Sequence, residues 1–210
     1  MNRWSIAAAV VLLGGCAMDQ RVDTSRTLGP DRSYSVELPA GWIKQVIMAR
    51  ELMVSRDGPL LEYILITKTS LKHAFPRTKK AAGDGMLPAE LAELEIAEVK
   101  SQDQFTEALT VVENEPAEIA GQEGFRVRVR YKNTHGLEIQ RVVYGFADKS
   151  AFYQLAFEAP MLYYFDTYYP DFQKAVASFQ LNAGDKKTAD MSSKTVVLFT
   201  PERVTGPHAP

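Results

Sequence analysis

Three histidines and one cysteine are the side chains of this 210-residue chain best suited to proton transfer, nucleophilic attack or metal ligation. His73 lies in the basic stretch LKHAFPRTKK, His135 in NTHG, and His208 near the end of the chain. None is spaced to share a metal with another histidine or a carboxylate cluster. The sequence holds no Gly-x-Ser-x-Gly elbow and no Gly-rich phosphate loop. GDG at residues 83–85 lacks the later acidic positions of a calcium loop. A hydrolase that pairs a serine or aspartate with His73 is the one enzymatic option left. The residues otherwise predict a non-catalytic protein with no cofactor and no metal site.

The sharpest polar spacing is in FRVRVRYK. Strict alternation puts Phe125, Val127, Val129 and Tyr131 on one face of a strand and Arg126, Arg128, Arg130 and Lys132 on the other. Such a stripe could hold an acidic partner, a phosphate-bearing headgroup or an anionic glycan. It is also what a half-buried strand with cross-strand carboxylates requires. A second concentration of chemistry is the aromatic run around Tyr163, Tyr164, Phe165, Tyr168, Tyr169 and Phe172. Tyrosine suits interfaces because its ring packs while its hydroxyl stays wet. Phe165 and Phe172 are expected in the core, with Tyr163, Tyr164 and Tyr168 as candidates for the rim of a binding groove.

Cys16 is the only cysteine, and it follows the apolar run IAAAVVLL and two glycines. The run is far below the roughly 20 residues needed to span a bilayer. It fits the apolar core of a signal peptide that begins with the basic start Asn2–Arg3–Trp4. LGGC at residues 13–16 resembles the lipobox of bacterial lipoproteins, in which the cysteine becomes the acylated first mature residue. That resemblance implies a membrane anchor at Cys16. With Ala17 in place of an aspartate, it also implies the outer membrane, facing the periplasm, if the host is Gram-negative.

Composition is consistent with an exported single domain. Hydrophobic residues make up 46% and charged residues 24%, enough for a real core. Without Arg3 the chain keeps 23 basic against 26 acidic side chains, which gives no basic field for nucleic acid. The expected organisation is a signal peptide at 1–15, a lipidated tether at 16–31, a domain at 32–181 and a flexible tail at 182–210.

These candidate residues must be positioned by strands and two helices. YSVEL, IKQVIMAR, ELMVS and LLEYILITK read as strands, with a turn around Asp57 and Gly58. Residues 69–85 read as a loop or marginal helix. PAELAELEIAEVK reads as a helix with Pro88 in its first turn and a stripe of Leu87, Leu91 and Leu94. Three long strands follow as an antiparallel meander. A three-residue loop at 133–135 would set Arg130 opposite Glu138, Arg128 opposite Gln140 and Val129 opposite Ile139. A C-terminal helix with Phe172, Val176 and Phe179 at helical spacing closes the domain.

The element YSVELPAGW (Tyr34–Trp42), the stretch IAGQEGFR (Ile119–Arg126) and the closing Ser178–Phe179 resemble the PsbP-like family, whose fold is shared with the yeast Ran-release factor. The resemblance spans residues 32–181. It implies an α+β fold: an antiparallel sheet of about six to seven strands flanked by helices in an α/β/α sandwich. It implies no catalytic set, and an accessory or binding role in the cell envelope with an unidentified protein partner. A carrier or sensor holding a small amphiphile between the sheet and the C-terminal helix is the alternative.

Overall fold

The computed structural model describes residues 20–23, 25–45, 51–83, 85–102 and 109–182. The proposed signal peptide, Cys16, His208 and the tail beyond 182 lie outside the described residues. In chain order the strands are β1 (Gln20–Arg21), β2 (Arg26–Leu28), β3 (Tyr34–Glu37), β4 (Ile43–Gln45), β5 (Glu51–Ser55) and β6 (Tyr63–Ser70). Helix α1 (Pro88–Lys100) follows, then β7 (Thr110–Ile119), β8 (Gln122–Lys132), β9 (Glu138–Ala147) and β10 (Ala151–Pro160). Helix α2 (Asp166–Ser178) and β11 (Gln180–Leu181) close the domain.

Eight strands form one antiparallel sheet in the order β1-β4-β5-β6-β10-β9-β8-β7. The architecture is α+β, as the sequence predicts, but the sheet is wider than six or seven strands. YSVEL is not part of it: β3 pairs with β2 and β11 in a separate three-stranded sheet. That small sheet ties residues 180–182 to the stretch 32–35. Asn182 donates its N–H to the Ser33 carbonyl at 2.8 Å, and its side-chain amide donates to the Arg32 carbonyl.

Both faces of the main sheet are covered. On one, α1 packs Leu91, Ala92, Ile96 and Val99 against Phe125, Val127, Val129, Val143 and Phe152. The helix stripe therefore differs from the expected one: Leu91 is buried, but Leu87 caps the helix and is 63% exposed. Glu90 turns back to accept the Leu87 N–H at 2.8 Å, an N-terminal contact the helix dipole favours. On the other face, α2 and the small sheet bury Tyr34, Val36, Trp42, Phe146, Phe157, Phe172 and Phe179.

Residues 71–82 are neither free loop nor helix. A single 3₁₀ turn (Leu71–His73) is followed by a bridge between Phe75 and Lys80. Buried Glu98 holds this segment against α1, accepting the N–H groups of Arg77 and Thr78 at 2.7 and 2.8 Å and the Thr78 hydroxyl at 2.8 Å. The stretch 20–31 also departs from expectation. It is no loose tether, because β1 pairs with β4, Val22 is buried in the core, and β2 pairs with β3.

The β8–β9 register is shifted by two residues from the expected one. Arg130 faces Gln140, Arg128 faces Val142, Val129 faces Arg141 and Lys132 faces Glu138. The loop is five residues long, not three. Asn133 donates its N–H to the Leu137 carbonyl, and its side-chain oxygen accepts the N–H groups of His135 and Leu137 at 3.0 Å. Gly136 supplies the left-handed backbone the loop needs, with φ of 78°.

Candidate binding surface

The basic strand face and the aromatic helix, far apart in sequence, meet on the α2 side of the sheet. The Arg128 guanidinium lies 5.1 Å from the Tyr169 ring centroid and 5.8 Å from that of Phe165, and it donates to the Tyr169 hydroxyl at 3.3 Å. Strand β7 supplies the carboxylates. Glu115 is 2.7 Å and Glu113 3.2 Å from Arg126, and Glu113 is 3.4 Å from Arg128 Nε. Arg130 donates to the Gln140 side chain at 3.4 Å and lies 3.8 Å from Glu138. Lys132 is exposed where β8 ends. Arg126, Arg128 and Arg130 are therefore matched across the strands.

The tyrosines divide. Tyr163 is 65% exposed, Tyr164 half-buried and Tyr168 buried. Tyr168 lies edge-on to Trp42, 5.5 Å between centroids, and its hydroxyl donates to Asp57 at 2.6 Å. That bond pushes the phenol up to about 12. It is a core residue, not a groove rim. Phe165 and Phe172 are buried, as the sequence predicts.

Among the described residues, the space between sheet and α2 is filled. Phe157 stacks on Phe172 at 5.6 Å and Phe165 on Tyr169 at 5.1 Å, and Phe157 and Phe165 lie 5.4 Å apart. This packing leaves the amphiphile-carrier reading without its groove. What remains exposed is the turn entering α2. Tyr163 has φ of 71° and ψ of −56°, the γ-turn region that is rare and strained for a residue with a side chain. Thr167 braces the turn by donating its hydroxyl to the Tyr163 carbonyl at 2.6 Å. Leu162 beside it is 87% exposed.

Two polar sites escaped the sequence reading. The first is a buried network under α1. Arg141 Nη1 donates to the Tyr63 hydroxyl and to Glu158, each at 3.0 Å. Burial pulls the guanidinium down, but Tyr63, Glu158 and Glu95 more than offset it, so it stays charged. Glu95 on α1, itself fully buried, accepts from the Gln154 side chain. Burial pushes its carboxyl up to about 7, with Glu98 adding to the effect and Arg141 opposing it. The cluster is made by the β9–β10 and β10–β6 pairings, which set Arg141 beside Glu158 and Glu158 beside Tyr63.

The second is a cleft of about 480 Å³ at the far end of β6, lined by Asp31, Lys68, Thr69, Ser70 and Ser150. Lys68 is tied to Asp31 at 2.8 Å. Ser70 Oγ lies 3.0 Å from His73 Nδ1, a contact within one exposed turn. His135 sits in the β8–β9 loop, at the opposite end of the sheet.

No protein-family model matches the chain, and no curated protein is similar to it in sequence. Solved structures are similar in fold. The Ran-binding protein Mog1p of Saccharomyces cerevisiae superposes with a TM-score of 0.53 at 11% identity, over 76% of this chain and 96% of that one. The cyanobacterial PsbP (CyanoP) of Synechocystis sp. PCC 6803 gives 0.52 at 15% identity, over 81% of this chain and 99% of that one. LpqN, involved in cell envelope biogenesis of Mycobacterium tuberculosis, gives 0.49 at 13% identity, over 76% and 85%. The chain therefore has the α+β fold that PsbP and Mog1p share.

Proposed function

We propose that the chain is a non-catalytic lipoprotein, anchored through Cys16 and acting as a binding or assembly module in the cell envelope. The observation that carries this reading is the order of residues 2–16: basic start, apolar run of eight, two glycines and the only cysteine. The body is compatible with it: Glu98 and one oxygen of Glu62 accept backbone N–H groups, and the arginines of the basic strand face pair with carboxylates of β7 and β9. A fold shared with a protein named as Ran-binding is compatible with a docking role. In a Gram-negative host, Ala17 after the cysteine favours the outer membrane, with the domain in the periplasm.

The test is affinity capture of the tagged full-length protein from membranes in mild detergent after brief crosslinking. The reading predicts one defined envelope partner in stoichiometric amount. Repeated recovery of the bait alone contradicts the assembly role.

A further inference from the structure

The cleft at the far end of β6 lies where the two sheets meet. Asp31 lines it from the β2–β3 loop, Lys68 and Ser70 from the last turn of β6, and Ser150 and Ala151 from the start of β10. The register sets Ser70 opposite Ala151 and Lys68 opposite Tyr153. Lys68 and Ser70 therefore share one face of β6, and Lys68 reaches across to Asp31 at 2.8 Å. Both flanking turns are braced. Asp31 accepts the Ser33 N–H at 3.1 Å and the Ser33 hydroxyl at 2.6 Å. Asn182 holds the same loop through the Arg32 and Ser33 carbonyls. Asp148 accepts the N–H groups of Ser150 and Ala151, each at 2.7 Å, and the Ser150 hydroxyl at 2.9 Å. The cleft is thus preformed, which lowers the ordering cost of filling it.

The polar groups of this cleft are unevenly committed. Both carboxylates are engaged, Asp31 by Ser33 and Lys68 and Asp148 by its own turn. Donors and positive charge stay available. An ammonium carries three N–H groups, and the Lys68 side chain, tied to Asp31, is still 26% exposed. Burial pulls that ammonium down, but Asp31 more than offsets it, so the floor of the cleft keeps its charge. Ser70 and His73 form a polar pair beside it, 3.0 Å apart. Arg32, Lys72 and Lys149 are exposed on the same three segments, so cations outnumber the carboxylates Asp31 and Asp148 there. Donors under a cationic rim fit an acceptor-rich anion. Size narrows the class, because about 480 Å³ is the scale of a small-molecule site and exceeds a bare inorganic anion.

We propose that this cleft binds a phosphate monoester carried on a small polar body, with the phosphate at Lys68 and Ser70. The site belongs to the domain itself and does not rest on the lipid anchor at Cys16. Soluble sugar phosphates and the headgroup of phosphatidic acid both offer this group.

The test is titration calorimetry of the full-length protein in mild detergent at low salt. The probes are sn-glycerol 3-phosphate, glucose 6-phosphate and dihexanoyl phosphatidic acid. Glycerol, glucose, dihexanoyl phosphatidylcholine and inorganic phosphate serve as comparisons. At least one monoester should bind at one site with a Kd of about 0.1–1 mM. It should bind about tenfold more tightly than its uncharged parent or inorganic phosphate, and Lys68→Met should weaken it about tenfold. Binding of the soluble esters identifies a soluble ligand, and binding of phosphatidic acid alone identifies a headgroup; either supports the site. Because Lys68→Met also releases Asp31, a second variant, Ser150→Leu, narrows the cleft and keeps the Lys68–Asp31 pair. It should lose binding with an unchanged unfolding midpoint, whereas Lys80→Ala, outside the cleft, should bind like wild type. The proposal is overturned if no monoester binds at up to about 5 mM. It is also overturned if inorganic phosphate or an uncharged parent binds as tightly as the ester, or if either cleft variant keeps wild-type affinity.

Discussion

The Arg128 guanidinium lies over the Tyr169 ring, 5.1 Å from its centroid, while its Nε faces Glu113 at 3.4 Å. One side chain thus joins the basic strand, its acidic neighbour β7 and the aromatic helix. Its side chain is 20% exposed, so both interactions are only partly screened. Arg128→Met keeps the stem packing and loses the cation–π contact and the ion pair. We expect a loss of about 1–2 kcal/mol in urea unfolding. Arg128→Lys should recover part of it, since an ammonium cannot stack as a guanidinium does.

Glu95 makes stability depend on pH in a stated direction. The unfolded carboxyl titrates near 4.5, and the buried one near 7. Between these values the folded chain holds more protons than the unfolded one, so stability falls as pH rises through that window and levels off above it. The shift corresponds to about 3 kcal/mol. Urea midpoints from pH 4.5 to 8 should show the decline in wild type. Glu95→Gln should flatten it and be the more stable protein at pH 8.

Glu98 holds the 75–80 bridge through three hydrogen bonds. Glu98→Ala strands the Arg77 and Thr78 N–H groups and should cost about 2–3 kcal/mol. The sharper readout is trypsin. Cleavage after Arg77, Lys79 or Lys80 should become several-fold faster than in wild type, while sites in the β8–β9 meander stay protected.

Gly145 faces Phe125 across β8–β9, and a β-carbon there would lie 2.5 Å from the Phe125 ring. Gly145→Ala should cost about 1–3 kcal/mol, because Phe125 is buried and cannot swing away. Gly145→Ala combined with Phe125→Leu should lose less than the two single changes added together.

The parts legible in the sequence were those with an internal period. FRVRVRYK alternates and forms β8, and residues 88–100 form α1 with Pro88 in its first turn. Phe165 and Phe172 fell in the core. What escaped depends on distances that no period encodes. The β8–β9 register turned on Asn133 folding back over its own loop, and the Arg141–Glu158–Tyr63 network depends on the pairing of β10 with β9 and with β6, strands far apart in the chain. Tyr168 read as a rim residue because its partner, Asp57, is 111 positions away. The 20–31 stretch looked like tether because β1 and β2 have only two and three residues and owe their order to Val22, Lys44 and Glu37.

The central claim, anchoring at Cys16, is tested most directly by metabolic labelling. Cells grown with an alkyne-bearing fatty acid should yield a labelled full-length protein that partitions into the detergent phase of Triton X-114. Cys16→Ser should carry no label. A wild-type protein without label, or a Cys16→Ser variant labelled as strongly as wild type, would contradict the account.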